Sequence, residues 1–200
     1  EFTASGGTSY IYEIRVTDQD PRNNTRTLKP LATPATGMKT YCATANLDFG
    51  GAKTDSVEAF KASLSADGRA VVLSRISRVA KGEGIVLRTT GGMAVAARDT
   101  VPVTDSAERA DDNALVGLSD TKTVGPEAVV DGTAYTHFAL NDKGMFVKLE
   151  APTVFQAREA YLRVSSSRVG DIALLPVWIG GTTAIGLAKA STDDTAYTYY

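Results

Sequence analysis

Apolar residues recur at every second position in several stretches of this chain, and no stretch keeps them at helical spacing for three turns. In "SYIYEIRV" the residues Tyr10, Tyr12, Ile14 and Val16 share one parity. One strand face can then be buried while Glu13 and Arg15 meet solvent or a partner strand. In "EAFKASL" the alternation runs through Phe60, Ala62 and Leu64 and turns Lys61 and Ser63 outward. Asp67-Gly68 follows between two apolar runs, where glycine accepts the positive φ that a hairpin turn requires. The run "AVVLSRISRVA" ends at "KGEG", and there Gly82 and Gly84 let the chain bend before Ile85, Val86 and Leu87 begin a strand that Gly91-Gly92 closes. Further strands are predicted in "MAVAA", "AYTHFAL", "GMFVKL", "AYLRV" and "IALLPVWI", separated by "NDKG", "APTVFQAR" and "SSSRVGD". The stretch "VTDSAERADDNALVG" reads as a long surface loop, with a single helical turn as the alternative.

This pattern predicts an all-β fold, an antiparallel β-sandwich-like module with long loops. Pro21, Pro30 and Pro34 mark a connecting segment. The chain divides into residues 1–36 (an N-terminal strand and that segment), residues 37–164 (the sandwich-like module) and residues 165–200 (closing strand or strands and a linker toward a further C-terminal segment). The opening "EF" and the abrupt "AYTYY" read as the ends of an excised piece.

With 43% hydrophobic residues in 200, a sizeable core can be buried. Lys and Arg number 21 against 23 Asp and Glu, so there is no surplus of positive charge to displace counterions from a phosphate backbone, and nucleic acid is not an expected partner. Apolar runs such as "IALLPVWIGG" are too short to span a bilayer, so no membrane insertion is expected. Cys42 is the sole cysteine, which rules out an internal disulfide and leaves stability to core burial.

Candidate chemistry is sparse. Cys42 and His137, each the only one of its kind, would make a nucleophile and base if the fold brought them together, but neither sits in a recognisable motif and strand packing explains both. No G-x-S-x-G elbow occurs, and Ser165 to Ser167 reads as a turn. Zinc is disfavoured because that Cys and His are the chain's two side chains of its preferred nitrogen and sulfur type. Asp18, Asp20 and Asn24 offer closely spaced oxygens for calcium, yet the glycine and distal Glu of an EF-hand loop are missing and a solvated turn is the preferred reading. No catalytic residue, metal ligand or cofactor is assigned, and the residues of any ligand site stay unknown. Carbohydrate binding would need displayed aromatic rings. Trp178 is expected in the core among its apolar neighbours, Tyr10, Tyr12, Tyr135 and Tyr161 are expected to point inward, and Tyr197, Tyr199 and Tyr200 belong to the linker-like tail.

Several stretches, in order, resemble a β-rich C-terminal accessory module of secreted and surface multidomain proteins of the Bacteroidetes (Bacteroides/Prevotella type). "GMKTYCATANLDFGG" resembles its opening strand and Asp-Phe turn, with Tyr41-Cys42-Ala43-Thr44 departing from the usual Gly-Tyr-Ala-Thr order. "SVEAFKASL" is similar to its Val-x-Ala-Tyr strand, with Phe60 in the aromatic place. "VAKGEGIVLRTTGG" resembles its Pro-Ala-Gly-x-Gly turn, with Ala80-Lys81 replacing Pro-Ala. "NALVGLSD" follows as a Leu-x-Gly turn, then "GTAYTHFAL", "GMFVKLEA" and the closing "AREAYLRV". The resemblance spans roughly residues 37 to 164, and "GGTTAIGLAKA" resembles the junction before a sorting segment.

The resemblance implies a noncatalytic accessory or spacer domain, extracellular or at the cell surface, whose partners are the neighbouring domains of its parent chain. The alternative is a carbohydrate-binding or adhesion module for polysaccharide or a host surface, and a hydrolase built on an acidic pair ranks last. The tripeptides at Asp55, Asp99, Asp105 and Asp194 resemble the short Asp-Ser/Thr-apolar sites of O-glycosylation in that lineage, with Thr100 and Ser106 the more accessible. Asn23-Asn24-Thr25 fits the N-glycosylation sequon of eukaryotic secretion.

Overall fold

The computed structural model describes residues 37–50, 57–89 and 100–180, together with short strands at Tyr10–Ile11, Ile14–Arg15, Thr25–Leu28, Leu31–Ala32, Leu187–Ala188 and Thr198–Tyr199. In chain order the first half of the body holds β1 (Met38–Cys42), β2 (Leu47–Asp48), β3 (Val57–Leu64), β4 (Val71–Ile76), β5 (Arg78–Val79), β6 (Gly84–Thr89) and β7 (Thr100–Pro102). The second half holds β8 (Leu115–Gly117), β9 (Lys122–Val124), β10 (Glu127–Val130), β11 (Thr133–Leu140), β12 (Phe146–Lys148), β13 (Thr153–Phe155) and β14 (Ala160–Ser165). The single helical turn α1 (Ser166–Val169), β15 (Leu174–Leu175) and β16 (Val177–Ile179) complete it.

The fold is all-β with mostly antiparallel pairing across several sheets. One sheet runs β16–β4–β3–β6–β1, and only β16 lies parallel to its neighbour. The other runs β8–β14–β11–β12–β15, with β10 folded back on the start of β11. The sheets face each other across a core of Met38, Phe60, Leu73 and Val86 from the first and Leu115, Phe138, Phe146 and Leu162 from the second. The first sheet is buried on both faces: Ile85 and Leu87 pack with Tyr41, Leu47, Ala59, Val79 and Val101, while Val86 between them faces the second sheet. That is why "GIVL" is apolar without interruption. On the outer face of the second sheet, the paired strands β9 and β13 cover Leu118, Leu149 and Tyr161 with Val124 and Phe155.

The β3–β4 hairpin turns at Asp67-Gly68 as expected: Ser65 N–H donates to Ala70 O at 2.8 Å and Gly68 has φ +75°. Phe60 and Ala62 are buried, with Lys61 and Ser63 on the outer side. Residues 104–114 carry no strand or helix and form the anticipated loop. "MAVAA", Gly91-Gly92, Tyr12, Asp18, Asp20 and Asn24 lie outside the described residues.

Four expectations are corrected. "IALLPVWI" is two strands, because Pro176 has no N–H to donate; the chain crosses between the sheets there, β15 joining β12 and β16 joining β4. Trp178 is 46% exposed, since Val177 and Ile179 take the inward parity of β16 and leave the indole on the other face. "APTVFQAR" and "SSSRVGD" contain β13 and α1 as well as connecting residues. The Leu-x-Gly element is strand β8, paired with β14, and not a turn. The β10–β11 hairpin went unpredicted: its Asp131-Gly132 turn has φ +49° and +77°, the signature of a two-residue hairpin loop, but β10 has no fully buried position to give it an apolar face.

Candidate functional site

The loop of residues 104–114 is fastened by two polar side chains from "KGEG" and "ADDN". Glu83 is 3% exposed. Its Oε2 accepts from Ala80 N–H at 3.1 Å, and its Oε1 accepts from Ala110 N–H and from Asn113 Nδ2, both at 3.0 Å. Asn113 also donates from Nδ2 to Gly84 O at 2.9 Å, while its Oδ1 accepts from Ala62 N–H and Leu115 N–H at 3.2 Å each. Its amide therefore uses both donors and both acceptor positions. A buried carboxylate is tolerable only when its oxygens are hydrogen-bonded, and each bond to a charged group contributes about 1.5–3 kcal/mol.

Asn113 acts as a piece of strand. Val86 pairs with Phe60, so β6 no longer flanks β3 at Ala62. Asn113 Oδ1 and Ala114 N–H take the vacated Ala62 N–H and O, and Ala114 O accepts from Arg163 N–H at 2.9 Å. The loop thus joins an edge of the first sheet to β14 of the second.

Outside this junction lies a cleft of about 490 Å³, lined by Gly82, Arg109, Asp112, Asn113, Tyr135 and Arg163 among others. A second cleft of about 390 Å³ shares Asp112, Ala114 and Arg163 and extends the groove toward Ser63, Ser165 and Arg168. Both volumes fall within the roughly 300–1,000 Å³ usual for ligand sites. The Arg163 guanidinium carbon stands 5.0 Å from the Tyr135 ring centroid, a cation–π arrangement. Arg168 Nη2 donates to Ser65 O at 2.9 Å. Asp112 pairs with Lys61. Among the described residues, Arg109, Arg163 and Arg168 have no carboxylate partner.

The two sequence candidates do not form a dyad. Cys42 is buried as a free thiol whose sulfur abuts Gly117, and burial pushes its pKa up, so it remains protonated at neutral pH. His137 donates from Nδ1 to Gly125 O at 2.8 Å and meets Tyr161 edge-on, with ring centroids 4.9 Å apart. Its Nε2 is buried without a hydrogen-bond partner, so no bond links it to the thiol. Burial pushes the His137 pKa down, opposed by the bond to Gly125.

Tyr161 is buried as expected, whereas Tyr135 is half-buried and faces the groove. Among the described residues, no group of three His, Cys, Asp or Glu side chains is placed to hold a metal ion, and no helix is long and apolar enough to cross a membrane. Ser106 is exposed at the start of the loop. Sequence reasoning missed Glu83, which it took for part of a bend, and it missed the three arginines, which belong to separate stretches and share no linear motif. Comparison with protein-family models, curated proteins and solved structures gives no match for this chain.

Proposed function

We propose that this chain is a noncatalytic accessory module of an exported multidomain protein, holding neighbouring domains at a fixed separation. The supporting observation is the wiring of Glu83 and Asn113. The buried carboxylate of Glu83, beside the cleft of about 490 Å³, has its oxygens turned to two backbone N–H groups and an amide, where a general acid or base would need them turned toward substrate. That wiring fastens one sheet to the other, as a rigid spacer requires. The ordered resemblance of residues 37 to 164 to the Bacteroidetes module supports an exported or surface setting. A broad screen of glycoside and ester substrates with the isolated chain is expected to show no turnover. Turnover that disappears with Asp112→Ala would overturn the reading.

A second reading, a module that binds glycans, is favoured by the two adjoining clefts and by the exposed Trp178. It is compatible with the first, since a spacer can also tether its parent to a polysaccharide.

A further inference from the structure

The groove between the loop and the sandwich edge has a charge pattern that selects among glycans. Arg163 stands over the Tyr135 ring, Arg168 is held by Ser65 O, and Arg109 stands exposed beside Gly82. Each guanidinium has five N–H donors in a fixed fork, so the contacts named leave most of them free for an incoming oxyanion. The acidic groups on the same walls are already engaged: Asp112 with Lys61, and Glu83 with the backbone and Asn113. The balance facing a ligand is positive, although the whole chain carries −2. Tyr135, the one aromatic ring on these walls among the described residues, is covered on one face by Arg163, which leaves little surface for stacking a neutral sugar.

We infer that this groove binds an acidic polysaccharide, a glycan bearing carboxylate or sulfate groups, with Arg163 between Arg109 and Arg168 as successive anion contacts. The inference rests on the glycan-binding reading and adds its chemical class. Two adjoining clefts that share Arg163 suit an extended chain with repeated charges better than a single small anion. Nucleic acid fits less well, because the walls offer no free aromatic platform for a base.

The test is affinity electrophoresis of the full chain in gels containing polygalacturonate, a sulfated dextran, neutral dextran or single-stranded DNA. The wild type is compared with Arg109→Glu and Arg168→Glu, two changes at exposed side chains, and with Arg163→Ala, thermal midpoints being used to confirm folding. The inference expects retardation by one or both acidic glycans, weakened at least tenfold by each charge reversal and reduced by salt, since exposed contacts are screened over about 10 Å at 0.1 M. Equal retardation by neutral dextran would overturn the anion selectivity while leaving glycan binding in place. Equal retardation by DNA would make the groove a general polyanion surface and overturn the glycan assignment. Binding unchanged by all three substitutions would place the site elsewhere, and no retardation by any polymer would remove the glycan reading with it.

Discussion

His137 and Glu83 are both about 3% exposed, yet they are stabilised in opposite ways. Glu83 has its oxygens matched by donors, whereas His137 keeps one nitrogen satisfied and the other facing the protein interior. Because Gly125 O can only accept, Nδ1 carries the proton and Nε2 presents a lone pair. Protonating Nε2 would bury an N–H with no acceptor, which agrees with the downward pKa shift caused chiefly by burial. Above the unfolded-state value of about 6.5 both states are neutral and stability is complete. As pH falls below it the unfolded chain takes up the proton first, so stability declines until the lower folded pKa is passed. The chain has no other histidine, so few other groups titrate between pH 7.5 and 5. Urea midpoints are expected to fall across that interval in the wild type and to stay nearly level in His137→Gln, and the His137 ring should titrate below 6.5 by NMR.

At the level of elements, the two sheets approach backbone against backbone at Gly84 on β6 and Gly117 on β8, beside the bridge between Glu83 and Val116. A Cβ on Gly117 would lie 2.7 Å from Cys42 Sγ, 2.7 Å from Gly82 O and 3.0 Å from Gly84 N. Gly117→Ala is therefore expected to lower stability by about 1–3 kcal/mol, the usual range for forcing extra volume into a packed interior. Adding Cys42→Ala should not restore it, since two of the three obstacles are main-chain atoms; denaturant melts of the single and double variants would show this. Parity along β3, the unbroken apolar run of β6 and the Asp67-Gly68 turn are local properties and were legible. Gly84 and Gly117 were visible as glycines, but were read as corners, because a close approach between residues 33 positions apart leaves no local trace. The groove was illegible for the same reason: Arg109, Arg163 and Arg168 meet only after β14 and the loop are docked. Trp178 misled because its neighbours are apolar on both sides, while the break at Pro176 decides which of them faces inward.

At the scale of the molecule, the chain between residues 165 and 180 closes the sandwich. The helical turn α1 places Val169 in the inter-sheet core, β15 brings Leu175 to the second sheet, and β16 brings Val177 to the first as its parallel edge strand. Val71 N–H donates to Pro176 O and Gly180 N–H to Leu73 O, so the same segment completes the hydrogen bonding of β4. Full burial of a large aliphatic side chain contributes roughly 1.5–3 kcal/mol, so losing these three removes about 5–9 kcal/mol. A domain's whole stability is about 5–15 kcal/mol, so that loss is of the same order. A chain ending at Val164 is accordingly expected to lose cooperative unfolding and to bind a hydrophobic dye, whereas one ending at Gly180 should melt in a single sharp transition. A cooperative melt of the shorter chain would mean that the two sheets hold together without this segment, and the rigidity that the proposed spacer role requires would then have to come from the Glu83–Asn113 junction alone.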